Sequence, residues 1–161
     1  TSDYKMGYTY VTQAMEYFKS LADMKGVASC FLSLSFINNR IANYPAALEQ
    51  ASNSLILYRK ANSLEGMALA YNNLGNIYDN MGNYEQSLKY YHKTLEIHSS
   101  ANNKTGLARV YINLSIIYNK TNRPDPFDSP VGQVDVIIVG HQKPFRIRCS
   151  QGGTGVAFLA E

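Results

Sequence analysis

The sequence has no tryptophan, only two cysteines, and charged side chains at 17% of its 161 positions. Each shortage excludes something. Cys30 and Cys149 lie far apart with no paired spacing, which argues against a disulfide framework and a cysteine-based metal centre. Two buried thiols are the simplest reading. No apolar run reaches the ~18 residues of a membrane-spanning helix, so no membrane partner is expected. Lysine and arginine never cluster. The net charge of +3 is spread thinly, with 11 basic and 8 acidic residues over 1–121 and 4 of each over 122–161. Such a surface lacks the basic stripe that draws in a phosphate backbone, and no nucleic-acid partner is expected. Proline is sparse too. Of the five, Pro124, Pro126 and Pro130 crowd together, and only Pro45 lies before them. The chain is therefore free to build long helices up to about residue 120.

What is present is a repeat. Gly26, Gly66 and Gly106 are spaced by 40 residues. Ala28, Ala68 and Ala108 fall in the same frame, as do Leu34, Leu74 and Leu114, and Ile37, Ile77 and Ile117. Tyr4, Tyr44 and Tyr84 form a further series. A fixed period of this size marks a solenoid in which each unit buries its apolar face against its neighbours.

Each unit holds two helices. In the central one, Ala68, Tyr71, Leu74, Gly75 and Tyr78 recur at three- and four-residue steps, the face of an α-helix. Gly82-Asn83 breaks the helix, because both residues accept the left-handed conformation of a tight helix end. Tyr84, Leu88, Tyr91, Leu95 and His98 then form a second stripe. The short link places the two helices antiparallel. The spacing predicts helices over Tyr4–Asp23, Gly26–Ile41, Tyr44–Asn62, Gly66–Asn80, Tyr84–Ser100 and Gly106–Lys120. Pro45 sits where a helix tolerates proline, in its first turn.

The domain layout follows. A repeat domain covers 4–120: a half repeat at 4–24, full repeats at 25–64 and 65–104, and a half repeat at 105–120. The chain opens inside a repeat, with the character of a fragment. From Pro124 the pattern stops. The tail, 121–161, is irregular or weakly β, with short apolar segments at Val134–Val139, Phe145–Cys149 and Gly155–Ala160. It reads equally as a small appended element, as the start of another domain, or as the product of a shifted reading frame.

The central unit resembles the tetratricopeptide repeat, whose first helix carries W-x₂-L-G-x₂-Y. Here Tyr71-x₂-Leu74-Gly75-x₂-Tyr78 fits it, with tyrosine for tryptophan. Gly82 and Tyr84 fit the turn, Ser87 replaces the usual alanine, and Tyr91 holds the aromatic position. The third unit keeps Tyr111, Leu114 and Tyr118 but has Ser115 for glycine. The first has Phe31, Leu34, Ser35 and Asn38. The period of 40 exceeds the family's usual length of about 34 residues. Similar long units are found in bacterial sensor kinases, peptide-sensing regulators and kinesin light chains. The resemblance implies an all-α fold, a right-handed α-solenoid of helix–turn–helix repeats. It implies a non-catalytic scaffold that binds a peptide or protein segment in its concave groove, within a larger signalling or regulatory protein.

In such a solenoid the first helix of each unit lines the groove. The residues expected to face it are Ser29, Ser33, Phe36 and Arg40 in the first unit, Leu69, Asn73, Asn76 and Asn80 in the second, and Arg109, Asn113, Ile116 and Lys120 in the third. The polar and charged ones among them, Ser29 apart, are the expected peptide contacts. Asn73 and Asn113 stand 40 apart, with Ser33 in the same register. An asparagine amide both donates and accepts, so a ladder of them can bond the main chain of an extended peptide. The arginines and Lys120 can take acidic side chains or a carboxylate terminus. The alternative is that these asparagines are solvated helix residues. The carboxylate clamp of chaperone-binding members is not expected, because Leu32 and Phe36 occupy its positions.

No catalytic residues, no cofactor and no metal are expected. His92, His98 and His141 have no ligand partners at metal spacing, and Ser150–Gly155 lacks the lysine of a phosphate loop. Two other functions stay open: a homo-oligomer formed through the exposed end of the solenoid, and the regulatory region of an enzyme. The expected location is cytoplasmic.

Overall fold

A computed structural model describes residues 2–121, 146–149 and 156–159. Among the described residues there are six helices: α1 (Ser2–Ser20), α2 (Met24–Arg40), α3 (Tyr44–Lys60), α4 (Leu64–Asn80), α5 (Tyr84–Ser100) and α6 (Lys104–Thr121). Thr1–Ile117 forms one compact unit and Tyr118–Glu161 a second. The first is a helical repeat of solenoid type. Below, α2, α4 and α6 are the first helices of their repeats, and α1, α3 and α5 the second helices.

Four helices of the first unit share one length. Helices α2 to α5 each have 17 residues, and three-residue links join them. One left-handed residue sits at the centre of every link: Ala22, Ala42, Asn62, Gly82 and Asn102. The bonding is that of a Schellman turn. In the first link Ala22 N–H bonds Lys19 O at 3.0 Å and Asp23 N–H bonds Phe18 O at 2.9 Å, and the other four links repeat this pair. The residue that closes one helix also caps the next. Asp23, Ser63 and Asn103, in one 40-residue series, accept from the backbone N–H of Gly26, Gly66 and Gly106. Asn83 does the same for Gln86 at 3.2 Å.

The glycine series that revealed the repeat has a packing cause. A Cβ at Gly26, Gly66 or Gly106 would fall within the ring of Phe18, Tyr58 or His98. Each ring comes from the preceding second helix and lies flat on the opening turn of the next first helix. Within a repeat, the two helices also approach closely at small residues. Ser35 Oγ donates to Ala47 O at 2.7 Å in one repeat, and Ser87 Oγ donates to Gly75 O at 2.9 Å in the next. Ser35 and Gly75 are register mates, as are Ala47 and Ser87. The hydroxyl has changed helices and the contact is kept.

The core runs along these seams. Ala47, Ala51, Tyr71, Leu74 and Ile77 form one buried cluster, and Met15, Cys30 and Leu34 another. Cys30 is a free, buried cysteine, and burial raises its thiol pKa. Tyr71 and Tyr91 are buried, as expected of packing residues, and Tyr78 stacks on Tyr90 with centroids 5.5 Å apart.

In the second unit, β1 (Arg146–Cys149) pairs antiparallel with β2 (Val156–Leu159), Arg146 opposite Leu159 and Cys149 opposite Val156. Both strands fall inside segments expected to be extended. The third such segment, Val134–Val139, lies outside the described residues.

Candidate functional site

The first helices stand side by side in the first unit, α4 between α2 and α6. Amide side chains lace them. Asn73 Nδ2 donates to Ser35 Oγ at 2.6 Å, and Asn80 Nδ2 donates to Asn39 Oδ1 at 3.0 Å. Asn113 Nδ2 donates to Asn72 Oδ1 at 2.9 Å. Two of these pairs, Asn39–Asn80 and Asn72–Asn113, are separated by 41 residues. That offset is one more than the period, because a side chain on one helix meets the neighbouring helix one position along. The 41-residue spacing was present in the sequence and is the signal that would have revealed the lacing.

The candidate residues therefore divide. Ser33, Arg40, Asn80 and Arg109 are exposed on the first-helix face, and Asn76 and Asn113 are half-buried. Asn76 accepts from the Tyr91 hydroxyl at 2.7 Å. Asn73 departs from expectation: it is only 7% exposed and sits in the seam between α2 and α4. Its helix position is the one expected to line the groove, but Ser35 across the seam accepts its amide, and burying that bond stabilises it there. Ser33, its register mate, is open, with its hydroxyl turned back onto Ser29 O at 3.1 Å. Lys120 is exposed in the last turn of α6, within the second unit.

What the face does present is apolar. Phe36 is 57% exposed, Ile112 50%, and Leu69 and Ile116 42% each. Phe36 and Ile116 lie at the helix position of Asn76, Leu69 at that of Arg109 and Ile112 at that of Asn72, and Arg40 and Arg109 join them. Exposed apolar side chains gathered on one face mark interaction sites more often than scattered ones do.

Three groups nearby have displaced ionisation. Burial, and then the charge of Asp79, push the Tyr91 hydroxyl up to about 12. Burial also raises Tyr111. His98 is lowered, first by burial and then by repulsion from Arg109, with Glu65 opposing. Among the described residues no cluster of His, Cys, Asp or Glu could hold a metal, and no helix is long and apolar enough to cross a membrane.

The tetratricopeptide repeat family model matches residues 66–126. The chain is also similar to the crystal structure of BtubC (BKLC) from P. vanneervenii, with a TM-score of 0.66 and 21% identity. The match covers 74% of this chain and 49% of that one, so this chain spans about half the length of its structural neighbour. No curated protein matches the sequence. Over residues 66–126 the chain is thus similar to tetratricopeptide repeats, and the neighbour shares its helical-repeat fold. Repeats of this family generally mediate protein–protein interaction, and the fold is typically a non-catalytic scaffold.

Proposed function

We propose that the first-helix face of α2, α4 and α6 binds a peptide or protein segment, as the non-catalytic interaction module of a larger regulatory protein. The supporting observation is the exposed set Phe36, Leu69, Ile112 and Ile116, beside Arg40 and Arg109. The side chains named for this face carry positive charge and no negative charge. The segment that suits it combines apolar side chains with acidic ones.

The asparagines take a revised part in this reading. Asn73 holds the seam and positions the face. Asn76 and Asn113 are half-buried and Asn80 exposed, and with Ser33 they remain proposed contacts. An array of acidic–apolar peptides would select a ligand. Phe36→Asp combined with Ile116→Asp should then weaken its binding at least tenfold, while leaving thermal stability nearly unchanged because both side chains are exposed. Equal affinity in the double variant would remove the basis for this assignment.

A further inference from the structure

Helices α3, α4 and α5 meet at Tyr71 of α4, and two cations converge on that one side chain. Arg59, exposed near the end of α3, donates from Nη2 to the Tyr71 hydroxyl at 3.4 Å. Lys93 of α5 holds its Nζ 5.2 Å from the centroid of the Tyr71 ring and 5.5 Å from that of the Tyr90 ring. Beside them Tyr90 stacks on Tyr78 with the ring planes 7° apart, and both rings are half-buried.

Neither cation is neutralised. Among the described residues the one ion pair joins Lys19 to Glu16. Glu96, one turn beyond Lys93, does not close on it, and no acidic residue lies within a turn of Arg59 on α3. Arg59 makes no second side-chain hydrogen bond among the described residues, and the Lys93 ammonium makes none. The Tyr71 hydroxyl accepts from Arg59, which leaves its own proton to donate. Positive groups gathered in this way repel one another, and a bound anion relieves the repulsion.

The preceding seam, made by α1, α2 and α3, shows that the repeat does not need this arrangement to pack. Forty residues earlier, Phe31 stands for Tyr71 and Asn53 for Lys93. Lys19 stands for Arg59, and Glu16 cancels its charge at 2.8 Å where the later seam has Ile56. Asn38 and Gln50 stand for Tyr78 and Tyr90. Each difference gives the later seam a donor, a positive charge or a ring, or removes a negative charge.

We infer that Arg59, Lys93 and the Tyr71 hydroxyl form a binding site for an aryl phosphate monoester, the chemistry of a phosphorylated tyrosine side chain. A guanidinium fork, an ammonium and a hydroxyl match its three free oxygens and its charge better than they match the two oxygens of a carboxylate. The Tyr78–Tyr90 stack supplies an aromatic surface for the ester's own ring. The site shares no residue with the peptide-binding face of α2, α4 and α6.

Isothermal titration of the full chain with the N-acetyl amide of phosphotyrosine should give saturable binding. The unphosphorylated amide should not bind, and inorganic phosphate should bind at least tenfold more weakly. Arg59→Gln with Lys93→Gln should weaken binding of the phosphorylated amide at least tenfold. Lys93 is half-buried, so Arg59→Gln alone is the second variant: Arg59 is exposed, its melting curve should match the parent's, and binding should still weaken severalfold. Phe36→Asp with Ile116→Asp should bind the amide as the parent does. Absence of saturation, parental affinity in Arg59→Gln, or equal affinity for inorganic phosphate overturns the inference. Loss of binding in the Phe36 and Ile116 variant would move the ligand to the first-helix face and would also overturn it.

Discussion

At the scale of single residues, the repeat lets one position be judged by its register mates. Phe18, Tyr58 and His98 each lay a ring on the glycine that opens the next helix. Histidine is the exception because it titrates. Burial and the nearby Arg109 disfavour its charged form in the folded state, so its folded pKa lies below the usual 6.5. The unfolded chain then binds the proton more readily. The His98 contribution to stability is full above about pH 6.5 and is lost as the pH falls through that value towards the folded pKa. His98→Tyr, which installs the residue of the preceding repeat, should flatten this acid-side decline. Urea titrations of parent and variant between pH 5 and 8 (about the span over which histidine changes charge) would show the two diverging only towards the acid end. A constant difference across the range would mean that the ring's size, not its charge, decides.

Helices and links were the most legible level, with one instructive exception. The period of 40 and the stripe spacing located all six helices, and their ends lie within a few residues of expectation. Apolar periodicity is a sum over many residues, so it survives substitution. The links depend on a single dihedral, and their sequence signal is weak. Only Gly82 and Asn83 were readable as a turn, yet all five links place a residue at positive φ, two of them alanine. Ala22 and Ala42 stay left-handed because flanking helices and Schellman bonds fix the link around them. Such a conformation costs a non-glycine residue roughly 1 kcal/mol. Ala42→Gly should therefore raise stability by up to about 1 kcal/mol, reduced by the added freedom of the unfolded chain. Gly82→Ala should lower it by a similar amount. A Cβ at Gly82 meets nothing within 4 Å, so that loss would be purely backbone. Thermal melts of the two variants should shift in opposite directions.

For the repeat unit as a whole, stability is shared between the helix pairs and the seams that join one repeat to the next. The amide lacing belongs to the seams, which explains why the site was only partly readable. Helical spacing shows which face an asparagine occupies. It does not show whether the side chain reaches across to a neighbour or out to solvent, since both require the same residue type on the same face. Asn73 reached across. It is buried against Ser35, which in turn bonds Ala47 O, so one short chain of hydrogen bonds links α4, α2 and α3. Asn73→Ala should then cost about 1–2 kcal/mol, more than the loss of an exposed amide. The form of unfolding should change as well. A weakened α2–α4 seam lets the first repeat open before the second, so the urea transition should broaden and its slope fall. Hydrogen exchange would locate the effect, with amides of α2 and α3 losing protection while those of α5 keep theirs. Asn80→Ala is the control, because Asn80 also bonds across this seam, to Asn39, but is exposed. It should shift the midpoint by less and leave the slope alone. If both variants instead shifted the midpoint equally with an unchanged slope, the helices would unfold as one cooperative block, and the buried seam bond would carry no special share of the coupling between repeats.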